Sequence, residues 1–268
     1  PTLVVGGLVQ NLNSNSKIGS GKIIVVEADE YDRSFLALKP TISIITNIEL
    51  EHTDCYKNLN DLKSAFIQFA KSVPFYGELI VCIDSKPIRE ILPKIERPII
   101  TYGLRNDAIY KAKNLHYKEN KSSFDVFFKE KKLGRIDLYV PGEHNILNAL
   151  ASIALCIEMD IPFKSIQNGL LKYNGVRRRF DIKGIYNEIM IVDDYAHHPT
   201  EVIATLNAAK KGWNKRLVAV FQPHLYSRTL KFYKQFAKAL KIADLIIITE
   251  IYPARENPIP EVSSKLIF

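Results

Sequence analysis

Two acids, a tyrosine and two histidines crowd into one stretch, Asp193-Asp194-Tyr195-Ala196-His197-His198-Pro199-Thr200-Glu201. It lies between the apolar run Ile191-Val192 and a helix start marked by Pro199 and Glu201. A structural turn needs no such polarity, so the run points to a ligand site. A second run, Phe221-Gln222-Pro223-His224-Leu225-Tyr226-Ser227-Arg228-Thr229, also sits where strand gives way to helix, a place that favours anions. Upstream, Val26-Glu27-Ala28-Asp29-Glu30-Tyr31-Asp32 carries Glu27, Asp29, Glu30 and Asp32, and Thr46–Asp54 places His52 among further acids. A carboxylate and an imidazole, here Glu27 and His52, can hold a divalent ion such as Mg²⁺, which takes few protein ligands and keeps water and phosphate oxygens. A solvated acidic loop and a surface histidine would produce the same pattern. Five of the six histidines, all but His116, fall in strand-end or helix-start segments of this kind.

Two further clusters are polar where packing alone would not ask for it. Pro141-Gly142-Glu143-His144-Asn145-Ile146-Leu147-Asn148-Ala149 opens an apolar helix on which Asn145, Asn148 and Ser152 share a face. An Asn amide offers both donor and acceptor, which suits the edge of an adenine, while helix capping by Asn145 is the plainer alternative. Gly175-Val176-Arg177-Arg178-Arg179-Phe180 supplies three guanidinium groups, suited to bidentate phosphate recognition, with Phe180 expected to hold Arg179 near packed structure. Gly19-Ser20-Gly21-Lys22 only imitates the end of a Walker A loop. Ser16 stands where the first glycine is required, and Ile23 follows the lysine in place of Ser or Thr.

These segments need a scaffold that brings strand ends together, and short β-branched runs alternating with helical patterns predict a mainly parallel sheet. Ile23–Val26, Ile42–Thr46, Leu79–Ile83 and Pro98–Tyr102 read as buried strands, with a helix over Leu59–Val73 capped by Asn60. Phe124–Phe128 and Ile136–Val140 read as an antiparallel hairpin at the sheet edge, followed by helices over Asn145–Met159 and Ser165–Tyr173. A new alternation then begins: strands Glu188–Asp193, Leu217–Phe221 and Leu245–Thr249, and helices Thr200–Lys211 and Ser227–Ala239. In open α/β sheets ligands gather at the carboxyl ends of strands, so Glu27 and His52 are expected on one sheet edge. The fold class is α/β, with domains over residues 1–177 and 178–268.

Composition narrows the partners. The 268 residues carry 37 Lys and Arg against 29 Asp and Glu, a net +8, and 47% hydrophobic residues. This is a globular composition whose charge favours anionic ligands. Three widely spaced cysteines suggest neither a disulfide framework nor a zinc site, which fits a reducing, cytoplasmic setting. The lysines are dispersed, and no aromatic–basic strand pattern of a nucleic-acid-binding sheet is present. The strand-like opening at Pro1–Val5 and the abrupt close at Lys265–Phe268 suggest a piece of a longer protein.

Taken together, Val26–Glu30, Thr46–Asp54, Val73–Gly77, His144–Ala149, Gly175–Phe180, Asp193–Glu201 and Phe221–Thr229 resemble the Mur ligase family, in the family's order. The resemblance implies a central ATPase domain without its phosphate loop, then a smaller, truncated Rossmann-like domain. It implies an ATP-dependent ligase of peptidoglycan synthesis that joins L-alanine to the lactyl carboxylate of UDP-N-acetylmuramate through an acyl phosphate. A tripeptide-recycling member of the family and a non-catalytic nucleotide- or UDP-sugar-binding fragment are the alternatives. It further implies that Glu27 and His52 hold Mg²⁺, that Asn145 and Asn148 meet adenine, and that Arg179 meets the phosphates and Asp194 the ribose. Tyr195 would line the cleft, while His197 and Arg228 would contact the muramyl substrate or stabilise the transferring group. Lacking the phosphate loop, the 268 residues alone are expected to turn over little or not at all.

Overall fold

The computed structural model describes residues 1–268 except Thr53. The chain folds as two compact units. The first comprises Pro1–His116, Ser122–Tyr139 and His144–Gly175. It opens with β1 (Thr2–Val9), β2 (Ser14–Lys17) and β3 (Ile24–Val26), in the order β2-β1-β3, antiparallel for β1/β2 and parallel for β1/β3. A six-stranded sheet follows, built in spatial order from β4 (Ile42–Ile45), β5 (Glu78–Cys82), β6 (Ile99–Gly103), β7 (Tyr110–Lys118), β8 (Lys121–Phe128) and β9 (Lys131–Leu138). Neighbours from β4 to β7 run parallel, and β8/β9 is antiparallel at the edge, with Phe124 opposite Ile136.

Burial explains the pattern of these strands. In β5, Leu79, Ile80, Val81 and Cys82 are buried in succession, as expected for a strand covered on both faces. The expectation of a buried strand at Ile23–Val26 does not hold: Ile24, Val25 and Val26 are all exposed. β3 lies in the small three-stranded sheet, not beside β4, so its apolar residues lack the two-sided cover that β5 receives.

Helix α1 (Leu59–Ser72) connects β4 to β5 and buries Leu62, Ala65, Phe69 and Ala70 at helical spacing. Its cap is Asn58, not Asn60. Asn58 has the extended backbone a cap requires, and its Oδ1 accepts from the N–H groups of Asn60 and Asp61, each at 3.0 Å. Such a cap stabilises by about 1 kcal/mol. Gly77 ends the turn that follows: its N–H donates to Pro74 O at 3.0 Å, and a Cβ there would collide with the Thr41 carbonyl. Helices α2 (Lys86–Ile91), α3 (Glu143–Glu158) and α4 (Phe163–Leu171) complete the set.

The second unit comprises Val176–Phe268 with Tyr117–Lys121 and Val140–Glu143. An antiparallel pair, β10 (Asp181–Tyr186) and β11 (Ile189–Asp193), precedes α5 (Pro199–Gly212), β12 (Val218–Phe221), α6 (Tyr226–Leu240) and β13 (Leu245–Ile248). β12 and β13 pair in parallel. Ala219 and Phe221 turn inward while Val218 and Val220 face out, the period-2 alternation of a strand covered on one face. Phe236 and Leu240 of α6 pack with Val202 and Leu206 of α5 against that inner face. No described helix is long and apolar enough to cross a membrane.

Candidate functional site

In the first unit the acidic turn after β3 is built by its own side chains. Asp29 accepts from the Tyr31 N–H at 2.9 Å, and Asp32 and Arg33 both adopt left-handed backbone, with φ of 53° and 57°. Arg33 Nη2 donates to both carboxylate oxygens of Asp61 on α1 (2.8 and 2.9 Å), and the guanidinium lies 4.8 Å over the Tyr56 ring. The Tyr56 hydroxyl donates to the Glu30 carbonyl at 2.6 Å. This bracing brings Glu30 Oε1 to 3.7 Å from His52 Nε2, and ligand atoms of Glu30, Glu51 and His52 all lie within 4.8 Å of one another. Two carboxylate oxygens and one imidazole nitrogen form a donor set that fits Mg²⁺ with room for water and phosphate oxygens. Burial raises the Glu30 pKa, opposed by its own backbone hydrogen bond and by His52.

Glu27, the other acid expected to share the ion with His52, is placed differently. Its carboxylate accepts from the Gly6 N–H at 2.6 Å, and its own N–H donates to Val4 O at 2.9 Å. Glu27 and His52 follow strands of two separate sheets, not one shared edge. Glu30 and Glu51 lay within the acidic runs visible in the sequence, but spacing could not say which of those acids would meet the imidazole.

On α3, Asn145 is half-buried, and Asn148 and Ser152 are exposed, with Ser152 Oγ donating to Asn148 O at 3.2 Å. The helix starts at Glu143, so Asn145 stands inside its first turn and is not the capping residue.

The second unit gathers Arg179, Asp194, Tyr195, His197 and Arg228. Arg178 and Phe180 take left-handed backbone (φ 60° and 47°), and Phe180 stacks on Trp213 with centroids 5.3 Å apart. Asp194 spans the turn: its two oxygens accept from the N–H groups of Phe180 and Ala196, each at 2.8 Å. Tyr195 donates its N–H to Arg178 O at 2.8 Å, while the Arg178 guanidinium covers its ring at 4.5 Å. Glu201 is the junction. Its Oε1 accepts from Arg179 Nη1 at 2.9 Å, and its Oε2 from the N–H groups of His197 (2.9 Å) and His198 (3.1 Å). The rings of Tyr195 and His197 are 4.8 Å apart, and His224 lies 5.8 Å beyond His197. Arg228, only 9% exposed, meets His224 Nδ1 at 3.2 Å.

Sequence reading missed two contributors to this cluster. Tyr252 places its ring 5.6 Å from that of His224, and Glu256 accepts from Ser227 through both its N–H (3.0 Å) and its hydroxyl. Both arrive from the segment after β13, so no local spacing marks them. Glu201 did carry a signal, an acid three residues beyond His198 at a helix start.

Charge follows from this packing. Burial opposes ionisation of Glu201, yet His197, its N–H and the Arg179 guanidinium together hold the carboxyl below its usual range. A depressed carboxyl stabilises the fold fully above the unfolded pKa and progressively less as pH falls through the folded one. Acid titration of stability is therefore expected to show a loss below the usual carboxylate range that Glu201→Gln diminishes; equal acid profiles for the two proteins would contradict this. His224 is pushed the other way from a charged imidazole: burial, then Arg228, His197 and Arg255, lower its pKa against a weaker pull from Glu256.

Comparison with known proteins matches these two regions separately. Residues 8–156 match the Mur ligase middle domain, and residues 178–267 match the Mur ligase, glutamate ligase domain. A UDP-N-acetylmuramate–L-alanine ligase of Geotalea daltonii is 46% identical over 267 residues, covering 100% of this chain and 58% of that protein. One of the same name from Endomicrobium trichonymphae is 46% identical over 268 residues, covering 100% and 60%. Among solved structures, UDP-N-acetylmuramate-alanine ligase MurC of Thermotoga maritima superposes with a TM-score of 0.78 at 30% identity, over 94% of this chain and 55% of that one. A murein peptide ligase of Psychrobacter arcticus gives 0.64 at 26% identity, over 92% and 57%. This chain thus spans somewhat more than half the length of the relatives it matches. With both domain matches in order along an α/β scaffold, the chain belongs to the Mur ligase family.

Proposed function

We propose that this chain is the ATP-binding and C-terminal portion of a cytoplasmic ligase that joins L-alanine to UDP-N-acetylmuramate in peptidoglycan synthesis. The observation that carries the reading is 46% identity across the whole chain to proteins of that name. Similarity to the murein peptide ligase is weaker in both identity and superposition, which favours the alanine-adding branch. In this reading residues 1–177 serve ATP and residues 178–268 the incoming amino acid.

The chemistry is the activation of the lactyl carboxylate as an acyl phosphate with release of ADP, followed by attack of the alanine amine and departure of phosphate. Bound Mg²⁺ would offset phosphate charge, and Glu30, Glu51 and His52 are the residues that would hold it, with Glu27 fixing the adjacent β1 strand through Gly6. Asn145 and Asn148 offer amide edges to adenine, and Asp194 holds the turn that would carry the ribose contact. Arg179 and Arg228 would face phosphate and carboxylate groups, and Tyr195 and His197 would line the substrate side. Held by neighbours before ligand arrives, these groups lose little on reorganisation, the condition under which electrostatic stabilisation is strongest.

The test is ADP release by a protein of the relatives' full length that carries this chain. Release is expected to require UDP-N-acetylmuramate, L-alanine and Mg²⁺ together, and to stop on chelation. Nucleotide or UDP-sugar binding without any alanine-dependent release would instead establish a non-catalytic module. Preference for a tripeptide over alanine would establish the recycling branch.

A further inference from the structure

Tyr56 holds both chain segments that carry the Glu30 carboxylate and the His52 imidazole. Its N–H donates to His52 O at 2.9 Å, beside the Cys55 N–H at 2.8 Å, and its hydroxyl donates to Glu30 O at 2.6 Å. The Glu30 carbonyl also accepts from the Arg33 N–H at 3.0 Å. A ring of bonds then closes: Arg33 Nη2 reaches both oxygens of Asp61, and Asp61 Oδ2 accepts at 3.1 Å from the N–H of Lys57, next to Tyr56 in the chain. Tyr56 is 1% exposed, and the Arg33 guanidinium covers its ring. His52 and Arg33 both take left-handed backbone, with φ of 48° and 57°. Such backbone is uncommon outside glycine and persists where its surroundings dictate it.

We propose that Tyr56, supported by the Arg33–Asp61 pair, is a positioning residue that holds Glu30 and His52 at the spacing a divalent cation requires. Glu30 follows β3 and His52 follows β4, strands of two separate sheets, so the 3.7 Å between Glu30 Oε1 and His52 Nε2 depends on a tie between the two loops. Tyr56 is that tie. It acts through the two main-chain carbonyls and so sets where each side chain starts. Donors fixed before the cation arrives lose less freedom on binding it, which makes the site tighter than the same donors on untied loops. Cutting the tie leaves every donor present but lets the two drift apart. Affinity then falls although no ligand atom has been removed. That the cation serves ATP rests on the ligase reading, whereas the tie does not.

Mn²⁺ is the probe, titrated into this chain at slightly alkaline pH and followed by electron paramagnetic resonance, since a ligating imidazole must be neutral. Wild type is expected to bind Mn²⁺ that Mg²⁺ displaces, with a ¹⁴N coupling from His52 in the bound spectrum, and His52→Ala to lose both. Tyr56→Phe keeps the ring and removes only the hydroxyl. It is expected to raise the Mn²⁺ dissociation constant about 10-fold and to weaken the ¹⁴N coupling. Asp61→Asn is expected to act in the same direction by less, and the double variant to lose less than the product of the two single losses, as members of one network do. A structural role alone would lower the melting temperature and leave Mn²⁺ affinity and coupling as they are. Unchanged Mn²⁺ affinity in Tyr56→Phe overturns the proposal, as does unchanged affinity in Asp61→Asn should Tyr56→Phe fail to fold. No binding to wild type, or binding that His52→Ala leaves intact, overturns it too. Weakened Mn²⁺ binding in Tyr56→Phe, with no alanine-dependent ADP release from the full-length wild type, would sink the ligase reading and leave the positioning role standing.

Discussion

Replacing Arg228 by alanine in a full-length protein carrying this chain is expected to lower kcat by about 10³-fold or more, measured as alanine-dependent ADP release. The size follows from what the side chain offers. The residue is only 9% exposed, at the first turn of α6, so little water screens its charge. A fixed cation facing an anionic phosphoryl or acyl-transfer transition state contributes on the order of 10³–10⁵ in rate. Arg228→Ala also removes the Arg228 Nη1 contact to His224 Nδ1, a cost borne by the fold itself. Melting of the variant separates the two effects, since a catalytic loss should greatly exceed the loss of stability. Arg228→Lys should recover only part of the rate, because an ammonium cannot reproduce the planar fork. A loss under tenfold for Arg228→Ala would remove this residue from the proposed machinery.

The largest stability effect is expected at Phe236→Ala, a loss of about 3–5 kcal/mol. Phe236 is 1% exposed, its ring 5.1 Å from that of Phe221, and it packs in the core formed by α5, α6 and the inner face of β12. Removing it leaves a cavity between two helices and a strand pair that the backbone cannot collapse without breaking its hydrogen bonds. The single tryptophan, Trp213, stacks on Phe180 in the same unit and gives a fluorescence reporter for urea unfolding. A denaturation midpoint close to wild type would mean that this core relaxes around the void.

Much of the architecture is legible in the pattern of residues. The runs that became β4, β5, β6, β12 and β13 were bounded by turns and helical stretches, and the hairpin of β8 and β9 showed as two alternating segments around a lysine-rich turn. Periodicity reports burial on one or both faces, so strands with ordinary cover were readable. β3 was not, because its sequence is as apolar as that of a core strand while its exposure depends on which sheet it joins. The cap of α1 shifted by two residues for a local reason: both Asn58 and Asn60 are capable caps, and the chain enters the helix at the first of them.

The site divides along the same line. The chemical inventory is readable along the chain: acids after β3 and β4, asparagines on α3, arginines before β10, and histidines and Arg228 at the starts of α5 and α6. These are set by strand-to-helix punctuation, which is local. The partnerships arise only in the folded chain. His52 meets Glu30 and Glu51 while Glu27 turns to Gly6, Glu201 joins Arg179 to His197, and Tyr252 and Glu256 close on His224 and Ser227 from some thirty residues away. Hydrogen bonds form over about 3 Å, and no pattern along the chain encodes that distance; it is fixed when packed helices and strands bring remote backbone segments side by side.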